Sequence, residues 1–205
     1  MVRQHVRVVK VGGSLLEFEQ LPAKLVYWLE KQTTASNVLI AGGGELAECV
    51  RRFDATFQIG ETASHWLCVD VLGITARMLF SLLPNAEFAT SLEVLRSQLN
   101  ADLRNSLIVF DVAPFLRQEA MMTGQSIPRS WDATSDSIAA RLCAVIEADE
   151  LVLLKSSLPT NATSKAAAVV NGYVDRFFCE ATRHLPKVRC VNLRDQEMKE
   201  SILTD

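Results

Sequence analysis

Five short stretches of this chain are almost unbroken runs of branched apolar residues: Val6–Val11, Val38–Ala41, Leu107–Asp111, Leu151–Leu154 and Val188–Val191. A strand with one wet face alternates apolar and polar residues, so continuous runs predict strands covered on both faces. Ala86–Ala89 is a shorter sixth candidate. Between the runs, apolar residues recur at helical spacing over Leu21–Lys31, Glu45–Phe53, Glu61–Leu83, Ser91–Leu99, Ser135–Ile146 and Asp175–His184. Strands alternating with helices predict right-handed crossovers. The expected class is α/β, with an open, mainly parallel sheet sandwiched between helix layers. No linker divides the chain, so residues 1–205 read as a single domain.

Composition narrows the functions open to such a fold. The net charge of −3 offers no basic field for nucleic acid or anionic lipid, although one cationic pocket can still hold a phosphate. The five cysteines (Cys49, Cys68, Cys143, Cys179, Cys190) form no CxxC pair and are odd in number. They read as free thiols of a reducing cytosol rather than zinc ligands or disulfides. The start of the chain lacks a signal-peptide pattern, and no stretch approaches ~18 apolar residues. A cytoplasmic protein with neither a membrane nor a nucleic-acid partner is expected. The polar stretch Ser156–Lys165 reads as a mobile surface loop after a strand end, where α/β proteins place ligand loops.

Four constellations could carry chemistry. Lys10-Val11-Gly12-Gly13-Ser14 ends the first strand. Glycines let backbone N–H groups approach a phosphate, and Lys10 supplies a cation from a rigid element. An exposed lysine before an ordinary turn reads equally well from this unit alone. It is neither a Walker motif nor a protein-kinase glycine loop, because the lysine precedes the glycines. Gly42-Gly43-Gly44 follows the second strand and precedes a helix whose N-terminus favours an anion. Gly42, Gly44 and Ala47 also fit a loose dinucleotide fingerprint, but the region ~20 residues on ends no strand. Thr134 or Ser135 can cap the next helix, with Asp136 in its first turn. Beyond capping, Asp132 or Asp136 could anchor a lysine amine or the Mg²⁺ that escorts ATP. Lys155, followed by Ser156, places a second cation at a strand mouth, where a phosphate contact and an ordinary surface lysine read equally well from this unit alone.

In this order the motifs resemble the amino acid kinase superfamily, which includes acetylglutamate, aspartate, uridylate, carbamate and isopentenyl-phosphate kinases. KVGGS at Lys10–Ser14 looks like the opening motif, and AGGGELAECVRRFD at Ala41–Asp54 looks like the second glycine segment. WDATSDSIAARLCAVIEADELVLLK at Trp131–Lys155 looks like the nucleotide-side aspartate helix and the strand after it. The resemblance implies the carbamate kinase-like fold, with ATP and Mg²⁺ as cofactors. It implies Lys10 bridging the donor and transferred phosphates, Gly12, Gly13 and Ser14 cradling them, and Asp136 orienting the lysines. Thr134, Ser135 and Ser156 fall on the nucleotide side, and Gly42, Gly43 and Gly44 on the acceptor side. Many members carry a later glycine–methionine–lysine segment that is absent after Lys155, so Lys155 is expected to supply that charge. Among members, the chain is most similar to short proteins associated with methanofuran-type cofactor synthesis. That similarity lies in ETASHWLCVDVLG, PRSWDATSDSIAA, LLKSS and NGYVDRFF. The grouping implies aminomethylfuran phosphate as acceptor.

The sequence thus predicts a kinase moving the γ-phosphoryl group of ATP to a small acidic acceptor. Arg51 and His65 are further acceptor-side candidates, although a lone helical histidine such as His65 is more often structural, and Arg52 reads as solvated. A non-catalytic nucleotide or oxyanion binder on the same fold is the alternative, and an NAD(P) oxidoreductase a more distant one. Related kinases commonly assemble through a helix on one face, and the helix bearing Trp66 is apolar enough for a homo-oligomer, although a core-facing stripe gives the same pattern.

Overall fold

A computed structural model describes residues 4–101, 106–122, 127–185 and 187–205. Its centre is one seven-stranded sheet. The strands are β1 (Val6–Val11), β2 (Ser36–Ala41), β3 (Glu87–Ala89), β4 (Leu107–Phe110), β5 (Glu150–Lys155), β6 (Lys187–Asn192) and β7 (Glu200–Thr204). They lie in the order β3-β4-β2-β1-β5-β6-β7, and every neighbouring pair is parallel except β6 with β7. The helices are α1 (Leu21–Glu30), α2 (Gly44–Phe57), α3 (Glu61–Leu82), α4 (Leu92–Asn100), α5 (Val112–Glu119), α6 (Ser135–Val145), α7 (Lys165–Val170) and α8 (Phe178–Ala181).

The continuous apolar runs are explained by burial on both sides. Side chains alternate across a strand. Val8, Ile40, Leu151 and Leu153 therefore meet Ile138, Ala139 and Leu142 of α6 on one face. Val9, Val11, Leu39 and Leu154 meet Leu21, Leu25 and Trp28 of α1 on the other. The long α3 serves both cores, with Val69 and Leu72 in the first and Ala76 and Leu79 in the second. Among the described residues it is the one helix long and apolar enough to cross a membrane. It carries Asp70 and Arg77, packs on α5, β2 and β4, and leaves Leu67, Ile74 and Met78 exposed.

Several elements differ from the sequence reading. β4 stops at Phe110, because Asp111 turns its carboxylate to the Ala113 N–H (3.0 Å) and caps α5. The expected helix Asp175–His184 shrinks to the single turn of α8, since the Asp175 side chain is drawn to α6. The Ser156–Lys165 stretch is not surface loop throughout. Ser164 caps α7 by accepting the Ala167 N–H, and the Lys165 ammonium is buried against the Leu185 carbonyl and Asp205 (2.5 Å). The edge strand β7 was not anticipated.

Candidate active site

The two strand-end lysines converge by strand periodicity alone. Lys10 lies two residues beyond Val8, so its side chain leaves β1 on the face that carries α6. Lys155 lies two beyond Leu153, which pairs with Lys10 on the neighbouring strand. α6 begins on that face, with Asp136 in its first turn. The outcome is one carboxylate between two ammonium groups: Lys10 Nζ lies 2.8 Å from Oδ1 of Asp136, and Lys155 Nζ 2.8 Å from Oδ2. Burial alone would raise the Asp136 pKa, but the two lysines override it and hold the carboxyl at about 2. Burial makes Lys10 less basic than a free lysine; Asp136 opposes that effect and Lys155 adds to it.

The two glycine turns form one structural unit. A Cβ on Gly13 would lie 2.3 Å from the Gly44 nitrogen, and one on Gly42 would lie 2.7 Å from the Gly13 nitrogen. Gly44 also has a φ of +58°, which strains any side-chain-bearing residue. Two of the glycines act differently from expectation. The Gly12 N–H is taken by the Leu154 carbonyl (2.7 Å) and the Gly42 N–H by the Val11 carbonyl (2.8 Å). These two extend the ladders and permit close approach rather than offering donors to a ligand. The N–H groups of Gly13, Ser14, Gly43 and Gly44 have no protein acceptor among the described residues. α2 starts with Gly43 as its cap and no side-chain capping bond, so its positive end is open to an anion. Gly13→Ala is expected to destabilise the fold by about 1–3 kcal/mol, because the added methyl meets backbone rather than a movable side chain. Chemical denaturation checks this, and an unchanged midpoint would refute the contact.

These turns open on a cavity of about 480 Å³. Gly13, Ser14, Gly43 and Gly44 line one end, and Thr134 and Ser135 bring the start of α6 to its wall. Arg51 and His65 also line it, whereas Gly12, Gly42, Ser156 and the Lys10–Asp136–Lys155 cluster lie outside the lining. Ser156 instead joins the opening motif, its Oγ accepting from Ser14 Oγ (3.1 Å). His65 is buried, and that burial, with Arg129 nearby, keeps its imidazole less basic than usual and so neutral at pH 7. Arg51 pairs with Glu48 and stacks on the Trp131 ring (4.8 Å). Arg52 is exposed and pairs with Glu45 (2.9 Å).

Sequence reasoning missed three contributors. Asp175, rather than Thr134 or Ser135, caps α6. It accepts from the N–H and Oγ1 of Thr134 and from the N–H and Oγ of Ser137. Arg194 lines the cavity and donates to the Ser14 carbonyl (2.8 Å). Trp131 forms a wall, its indole N–H directed at Asp54 (3.3 Å). Asp132 faces solvent beside Arg176 (3.4 Å) and takes no part in the lysine cluster.

This arrangement belongs to a recognised architecture. UMP kinase from Ureaplasma parvum aligns over 100% of both chains at a TM-score of 0.71 and 11% identity. Uridylate kinase from Archaeoglobus fulgidus aligns over 97% of this chain and 90% of its own, at a TM-score of 0.60 and 15% identity. The chain has the amino acid kinase fold. In sequence it is similar to [5-(aminomethyl)furan-3-yl]methyl phosphate kinase of Methanocaldococcus jannaschii, at 24% identity over 151 residues. That match spans 72% of this chain and 64% of the relative, less than two thirds of its length. No family model matches the chain.

Proposed function

We propose that the chain is an ATP-dependent small-molecule kinase whose acceptor is a small acidic compound of the [5-(aminomethyl)furan-3-yl]methyl phosphate type. The observation that carries the reading is the meeting of the Gly13 and Gly44 turns on one cavity, beside a lysine pair held by Asp136. Phosphoryl transfer needs positioning and charge stabilisation more than covalent help from the protein. The free N–H groups of both turns and the open end of α2 suit phosphate oxygens. Lys10 offsets charge on the moving group, and Asp136 aims it.

In this reaction an acceptor oxygen forms the new bond to the γ-phosphorus as the bond to the β–γ bridging oxygen breaks. ADP departs with the electron pair. An acceptor phosphate is already ionised, so no general base is required. Mg²⁺ would be held chiefly by ATP phosphate oxygens and water, which does not call for an all-protein cage; among the described residues no cluster of three or more His, Cys, Asp or Glu could form one. The cavity also fits an acceptor carrying both charges. Arg51 and Arg194 bring cations to it, and Glu17 and Glu48 bring carboxylates.

ADP release measured with aminomethylfuran phosphate, UMP and aspartate tests the reading. Turnover is expected with the first of these. A second reading, a nucleotide binder without turnover, is favoured by the deep burial of Lys10. ATP binding without ADP release for any acceptor would select it over the kinase.

A further inference from the structure

We infer that Lys155 is a positioning residue, its ammonium held by Asp136, the Tyr173 carbonyl and the Tyr173 ring so that it fixes Asp136 and, through it, Lys10, without touching a phosphate. This inference rests on the kinase reading of the site. An ammonium has three N–H donors. For Lys155, one meets Asp136 Oδ2 and another meets the Tyr173 carbonyl. The Tyr173 ring lies 4.4 Å from the same nitrogen, within cation–π range. Asp136, by contrast, is the sole partner of the Lys10 ammonium among the described residues. Lys155 is the more exposed of the two side chains, 16% against 7%, so donor supply rather than access separates their roles.

The platform under Lys155 is itself fixed. The Tyr173 hydroxyl donates to the Ser157 carbonyl (3.3 Å), and its N–H donates to the Ala168 carbonyl (2.9 Å). Two residues on, Asp175 holds the start of α6 through Thr134 and Ser137. One short segment therefore grips both Lys155 and the helix that carries Asp136. The charged groups facing Lys10 are Asp136 of α6, Lys155 of β5 and Asp175 of this segment. Of these only Lys155 opposes the Lys10 charge, so deleting it should make Lys10 more basic.

The test is an NMR titration of the Lys10 ε-carbon in ¹³C-lysine-labelled protein, assigned by its loss in Lys10→Arg. In Lys155→Met the Lys10 transition is expected at higher pH than in the parent, with ATP affinity nearly unchanged. An unmoved transition overturns the proposal. So does weakening of ATP binding by about tenfold or more, the loss expected for a charge-assisted bond to phosphate. If Lys155→Met fails to fold, Lys155→Gln removes the charge but keeps amide donors for Asp136 and the Tyr173 carbonyl. The titration reads the coupling without turnover, so a chain that released no ADP would defeat the kinase reading and leave this result to stand or fall by itself.

Discussion

Lys10→Met is expected to lower ATP-dependent turnover by about 10²–10³-fold, the effect of removing one preorganised donor from a developing charge. Lys10 leaves β1 three residues before Gly13, and among the described residues its ammonium is paired only with Asp136. Under the proposed kinase reading, its donors not turned to Asp136 would serve oxygens of the moving group. Methionine keeps most of the stem that fills the space beneath α6, and Asp136 retains Lys155 as counter-ion. The fold should survive, so the loss should fall on kcat. Steady-state ADP release together with a thermal melt separates the two effects. Turnover within a fewfold of the parent would remove Lys10 from the reaction.

The largest loss of stability is expected from Asp136→Ala. That variant leaves two ammonium groups in a largely buried site without their shared counter-ion. Breaking a buried pair in this way costs about 3–5 kcal/mol. Urea denaturation at pH 7 should show a loss of that order. A triple variant, Lys10→Met with Asp136→Leu and Lys155→Met, should recover much of it, since apolar groups of similar volume carry no desolvation penalty. The dependence on pH has a definite sign. The folded carboxyl titrates at about 2 against the usual 3.8, so the folded state binds its proton more weakly than the unfolded state. The stabilisation is present above the unfolded value and is lost as pH falls from 3.8 through about 2. The shift corresponds to roughly 2 kcal/mol. The gap between parent and Asp136→Ala should therefore narrow on acidification. A gap that stays constant from neutral pH to pH 2 would show that the variant's loss comes from packing alone.

What the sequence made legible follows from the range over which each signal acts. Val6–Val11 and its counterparts announce two-sided burial by local composition, and the parallel sheet follows. The residues alone leave Asp132 and Asp136 both open as anchors for a lysine, and only the family resemblance singles out Asp136; the sheet and the first turn of α6 then set it between Lys10 and Lys155. The α6 cap was hidden because Asp175 comes from 41 residues along the chain to serve Thr134, which itself looks like a cap. Arg194 reaches Ser14 across 180 residues with no motif around it. β7 is an antiparallel edge strand with a single buried residue, so it lacks the apolar run that marked the others. α5 escaped because Asp111 prolongs an apolar run in sequence while ending the strand in space.

Unequal burial of the two helices flanking the cavity gives its walls unequal stiffness. α6 has eight buried residues and α2 has none. Tilting α6 would open voids in close-packed core, whereas α2 has no fully buried side chain and is held against α3 and the Gly13 turn. Any change in the cavity's width is therefore expected on the side bearing Ala47, Glu48 and Arg51, while the start of α6 stays put.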